Sequence, residues 1–226
     1  MLHYHGTPIT PCAQLERMAG RLFCVSFAAP QDLATCLRIG QGLMLDNGAF
    51  SAKTRGLPFD RAGFYAWAEP HLAQPHWGVV PDVIDGTVEQ QREMVKSWPF
   101  RKALGIPVWH LGLPIEYLLE LADDWGRVCF GSAGQYWQIG TPAWCGRMDE
   151  AFNALTRTFG AQLPWVHGLR MLGQAAGPWP LASADSTNVG RNFKDRAVCA
   201  ECMAQRIDSI NPPTLWTERP LQECLI

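Results

Sequence analysis

The residues with reactive side chains fall at the ends of short apolar runs. Asp46 closes LMLD ahead of an Asn-Gly turn, Asp82 and Asp85 follow WGVV, His110 closes PVWH, and His167 lies in WVHG. Gly131 and Ser132 end VCFGS, Asp185 stands in ASADS before Thr187, and His3 and His5 alternate in LHYHG. Three carboxylates converging on one rim would supply a nucleophile, a general acid or base, and a hydrogen-bonding reader of a polar substrate. Like charges so placed raise at least one pKa, which suits proton transfer near neutral pH. Taken singly, each residue has a plainer reading. Asp46-Asn47-Gly48 and Asp85-Gly86 are turn signals, Asp185 fits an Asx turn or a helix cap, and His110 and His167 fit hydrogen-bonded barrel histidines as well as substrate contacts.

The apolar runs predict eight strands, over 2–5, 21–27, 42–46, 77–82, 107–111, 127–131, 165–169 and 181–185. Helices are expected at 11–19, 30–39, 59–73, 87–104, 114–123 and 150–159, with a long one after Asn192 and no more than a helical turn after Leu169. Runs such as CVSF and VCF are apolar on both faces, as in parallel sheets covered by helices. Eight strand-then-helix units predict a compact (β/α)8 TIM-like barrel, one α/β domain over residues 1–226, with an open doubly wound sheet as the alternative. A barrel of this kind builds its site at the carboxyl ends of its strands, where the polar residues above are found.

A chain of 226 residues, 47% hydrophobic and 18% charged, holds enough apolar material for one large core and excludes a disordered or fibrous chain. The net charge of −2 neither advertises nor excludes a nucleic-acid partner. Ten Trp are read as packing first and base stacking second. The start, MLHYHGTPITP, lacks the pattern of a signal peptide, and no run approaches the ~20 apolar residues of a membrane span, so a cytoplasmic chain without membrane contact is expected. Eight scattered Cys are expected as free thiols. Only Cys199 and Cys202 have metal-ligand spacing; they read as buried helix cysteines, Cys202 sharing a face with Val198 and Ile207. A structural zinc there is disfavoured, because no His follows His167 and Cys224 is the only later Cys.

Over about residues 42–192 the ordered motifs LDNGAF, VVPDVID, PVWHLG, CFGSAG and ADSTNVGRN resemble those of the tRNA-guanine transglycosylases and their shorter relatives that insert 7-deazaguanines into DNA. The resemblance implies Asp185 as nucleophile, Asp46 as general acid/base and Phe50 as the aromatic that stacks on the base. It further implies Asp82, or less favourably Asp85, as reader of the guanine edge, and Gly131 with Ser132 as the turn that binds the base oxygen. His110 stands where the family has Gln, and Thr187, Arg191 and Asn192 lie beside the nucleophile. The chain is shorter than the tRNA enzymes and lacks their CxCxxC with a following His, which favours DNA over tRNA as the polymer, with free guanine or a 7-deazaguanine as the exchanging base and no cofactor. Arg170 and Arg191 are candidate cations for the polyanion.

Two alternatives use the same residues. His3, His5, His110, His167 and Asp185 loosely resemble the ligand set of metal-dependent amidohydrolases, although no Lys ends the fourth strand. Simple hydrolysis of a nucleoside N-glycoside would need only the carboxylates.

Overall fold

A computed structural model describes residues 1–194 and 198–220; Cys224 lies outside them. The strands are β1 (Leu2–Gly6), β2 (Leu22–Ser26), β3 (Gly42–Asp46), β4 (Trp77–Val79), β5 (Gly105–Ile106), β6 (Val108–His110), β7 (Arg127–Gly131), β8 (Trp165–Gly168) and β9 (Ser183–Ser186). Every pair is parallel, in the order β5-β4-β3-β2-β1-β9-β8-β7-β6. The two ends of this sheet, β5 and β6, are separated only by Pro107, so they form one stave of a barrel. Proline has no N–H to give to a ladder. Ile106 therefore pairs with Val79 on one side and Val108 with Cys129 on the other, while the Pro107 carbonyl still accepts from Cys129 N at 2.8 Å. The expected strand at 107–111 is the second half of that stave. The fold is the α/β TIM-like barrel that the pattern predicts.

The outer layer holds α1 (Cys12–Glu16), α2 (Leu33–Ile39), α3 (Ala49–Thr54), α4 (Arg61–Ala68), α5 (Val88–Lys96), α6 (Ile115–Trp125), α7 (Pro142–Phe159), α8 (Asn188–Asn192) and α9 (Ala200–Asp208). The helix expected over 87–104 starts at a Thr87/Gln90 capping box but ends at Lys96, because Pro99 disfavours helical backbone at the residue before it. α7 begins eight residues before the expected 150, at Pro142, with Thr141 as its cap. α3 was not expected; it starts directly after the Asn-Gly turn. The long helix expected after Asn192 is instead α8, ending at Asn192 itself, and α9, with residues 195–197 outside the description. Among the described residues no helix is long and apolar enough to cross a membrane.

Side chains alternate across each strand, and this decides which residues reach the barrel interior. Tyr4, Cys24, Met44, Trp77, Val79, Ile106, Val108 and Cys129 fill the interior. Phe23, Val25, Leu43, Leu45, Val128, Phe130 and Val166 point outward into the helix layer. Because Tyr4 faces in, His3 and His5 must face out. His3 Nε2 meets the Ile210 carbonyl at 2.7 Å, and His5 Nε2 meets Asp208 at 2.8 Å, where Arg21 also donates to that carboxylate. These two histidines anchor the segment that carries α9 and lie on the opposite face of β1 from the mouth, so the amidohydrolase ligand set does not assemble.

Two readings of the cysteines change. Cys24, Cys36 and Cys129 are buried free thiols, as expected, but Cys199 and Cys202 are disulfide-bonded and not buried. Cys199 is the N-cap of α9 and its sulfur accepts from Cys202 N. The buried face of that helix is Ala200, Met203 and Ala204, not the stripe through Cys202. Nine of the ten Trp are buried or half-buried, so packing accounts for them; Trp137, 68% exposed, is the exception.

Candidate active site

The carboxyl ends of the strands surround a cavity of about 850 Å³, inside the range of about 300–1,000 Å³ typical of small-molecule sites. Asp46, Asp82, Asp185, Phe50, His110 and Arg191 all line it, as do Gly131 and Ser132. Asp46 is the last residue of β3, inward because Met44 is inward. Burial, with Asp185 and Asp82 adding like charge, pushes its carboxyl up to about 6, while the Ser26 hydroxyl and Gly48 N–H pull the other way. The three carboxylates act on a common interior volume. The Cys24 and Cys129 thiols beneath them are driven well above the ordinary range by burial first and by these carboxylates next.

Asp185, 6% exposed, is held on one oxygen. Its Oδ1 accepts from the Arg170 backbone N–H at 2.8 Å and lies 3.3 Å from His167 Nε2. Its Oδ2 has no protein hydrogen bond among the described residues. Arg170, whose backbone is left-handed with φ 60°, gives this N–H to the carboxylate near the end of β9. Its guanidinium donates to the Ser132 carbonyl at 2.8 Å and sits 4.0 Å from the centroid of the exposed Phe50 ring. That ring is at the rim because Gly48, φ 77°, permits the tight turn from β3 into α3.

Asp82, expected to read a base edge, has both oxygens engaged by protein. Oδ1 accepts from Asn47 Nδ2 at 2.9 Å and Oδ2 from His110 Nε2 at 2.8 Å. A carboxylate can only accept, so the His110 hydrogen sits on Nε2. His110 Nδ1 is buried without a partner among the described residues and packs against Gly131, where an added Cβ would lie 2.8 Å from it. Gly131 is thus required by the approach of an imidazole. The Ser132 hydroxyl accepts from Trp144 Nε1 at 2.9 Å. Asn47, which sequence reasoning treated as turn chemistry alone, is buried and also bonds Val80 O and Ala49 N.

Three expected contacts are not at the cavity. Asp85 is exposed, in a left-handed conformation with φ 61°, and faces Lys53 at 3.6 Å. Asn192 bonds Asn188 within α8. His167 is fully buried below the mouth; the inward residue at the rim of that stave is Leu169, one pleat further on.

The chain matches no family model, no curated protein and no solved structure.

Proposed function

We propose that the chain is a base-exchanging glycosyltransferase acting on guanine in nucleic acid, DNA in preference to tRNA, with a 7-deazaguanine as the incoming base. The observation that carries this reading is the division of labour between two carboxylates in one cavity. Asp185 has one oxygen pinned and the other without a partner among the described residues, as an attacking group needs, and Asp46 titrates near 6, as a proton carrier at neutral pH needs.

In the first step Asp185 Oδ2 bonds to the anomeric carbon as the glycosidic C–N bond breaks. The bonding pair leaves with guanine, which takes a proton from Asp46. In the second step the incoming base gives its N–H proton to Asp46, bonds to the anomeric carbon through that nitrogen, and returns the pair to Asp185. A base buried in a duplex must first leave the stack, at a cost of roughly a few kcal/mol. The exposed Phe50 ring and the cations Arg55, Arg170 and Arg191 at the mouth suit a flipped nucleotide and its phosphates. Preference for DNA rests on the missing CxCxxC module that the tRNA enzymes carry.

The test is incubation of the protein with guanine-containing DNA and, separately, with tRNA in the presence of a 7-deazaguanine, followed by nucleoside mass analysis. A 2′-deoxy-7-deazaguanosine in DNA that disappears with Asp185→Ala supports the proposal. Abasic sites without insertion would assign N-glycoside hydrolysis by the same two carboxylates. Full activity in Asp185→Ala would place the nucleophile elsewhere.

A further inference from the structure

His167 does not line the cavity, yet both of its ring nitrogens are engaged just beneath it. The ring is fully buried inside the barrel. Tyr4, Trp77 and Trp165 surround it with ring centroids 5.8, 5.1 and 6.0 Å away. Among the described residues its two nitrogens meet Ser183 Oγ, at 2.6 Å from Nδ1, and Asp185 Oδ1, at 3.3 Å from Nε2. A carboxylate cannot donate, so Nε2 carries the hydrogen. In the neutral form of the ring Nδ1 is then a lone pair, and the buried Ser183 hydroxyl donates to it. Hydrogen bonding thus runs one way, from Ser183 through His167 to Asp185.

We propose that His167 is a positioning residue whose function is to make Asp185 a good leaving group in the second half of the exchange. This rests on the reading of Asp185 as the nucleophile. With Oδ2 esterified to the sugar, Oδ1 is an ester carbonyl oxygen and a weak acceptor. When the C–O bond breaks, the pair returns to the carboxylate and negative charge reappears on both oxygens. The two N–H groups on Oδ1, from Arg170 and His167, therefore bind the carboxylate more strongly than the ester. They pull the glycosyl enzyme apart and keep it from becoming a dead end. His167 transfers no proton; it holds one on Nε2, and Ser183 keeps it there.

The consequence differs from that of a packing residue. Loss of the Nε2 donor stabilises the ester relative to the free carboxylate, so the covalent enzyme accumulates while turnover falls. A merely structural lesion lowers adduct and turnover together.

The experiment uses wild type, His167→Phe, His167→Gln and Ser183→Ala. Phe preserves an aromatic ring in the cage, and Gln places an amide N–H near Nε2. Steady-state adduct is measured by intact mass during exchange of guanine into DNA, together with kcat and KM for the DNA. The ring tautomer is read by 15N NMR on the free protein. His167→Phe is expected to lower kcat about tenfold to a hundredfold, the usual effect of losing a hydrogen bond to a charged group. Its adduct fraction should rise and its KM should not, with Gln restoring most of the rate. Ser183→Ala, which frees Nδ1 to take the hydrogen, should move the same way by less, and it decides the matter if the Phe variant does not fold. Adduct that falls in step with kcat overturns the proposal, as does an Nδ1–H tautomer in the wild type. No adduct and no exchange by the wild type would instead overturn the transglycosylase reading, and the NMR result would still decide whether Ser183 and Asp185 fix the ring.

Discussion

Asp46→Asn removes an ionisable group from the barrel mouth while keeping its shape. The amide oxygen can still accept from Gly48 N–H, and the amide nitrogen can still meet Ser26. The wild-type carboxyl is raised from 3.8 to about 6, chiefly by burial and then by Asp185 and Asp82. Below 3.8 the folded and unfolded chains both carry the proton, and the group has no effect on stability. Between 3.8 and about 6 the unfolded chain ionises first, so stability falls as pH rises. Above that window the whole penalty is present. At 1.36 kcal/mol per pH unit it amounts to about 3 kcal/mol, an upper bound because the mouth is partly open to water. Removing it should raise the melting temperature of a chain of this size by about 5 to 10 °C at pH 8, and by almost nothing near pH 4. Denaturation curves of both proteins from pH 4 to 8 make the comparison. The same variant should lose about 10² to 10⁴ in exchange rate, because the proton carrier is gone. A D46N protein no more stable than wild type at pH 8, or stabilised equally at pH 4 and pH 8, would refute the reasoning.

Gly131→Ala would set a methyl 2.8 Å from His110 Nδ1, against a ring fixed by Asp82, and should cost about 1 to 3 kcal/mol. Chemical denaturation measures it, and an unchanged midpoint would mean that the imidazole is free to move. His5→Phe should destabilise the fold by about 1 to 3 kcal/mol, since it takes from the part-buried Asp208 one of its two partners and leaves it only Arg21, with exchange by the surviving folded protein unaffected. A selective loss of activity in that variant, or its loss on chelation with restoration by zinc, would return His5 to the site.

The barrel was legible because eight apolar runs, each followed by an amphipathic segment, have few other ways to be buried. What the pattern could not supply was parity. Residues two apart on a strand share a face, so one offset decides whether a polar side chain meets substrate or protein. Asp46 and His110 are inward and terminal, and reach the cavity. His167 is inward but one pleat too deep, and His5 is terminal but outward. The signal was present for His5: Tyr4 between two histidines is the large apolar side chain that a barrel interior takes. The engagement of Asp82 by Asn47 and His110 joins three separate staves, and no local pattern announces it. Arg170 was read only as a cation; its hydrogen bond to Asp185 comes from the main chain, which no side-chain type announces.

The central claim is a covalent bond between Asp185 and the sugar. Mixing the protein with guanine-containing DNA, quenching in acid, digesting and mapping the modified peptide tests it directly. A glycosyl adduct on the peptide that contains Asp185, absent in Asp185→Asn and discharged by a 7-deazaguanine, is the predicted result. Exchange that proceeds with no adduct, or with the adduct on Asp46 or Asp82, would contradict it.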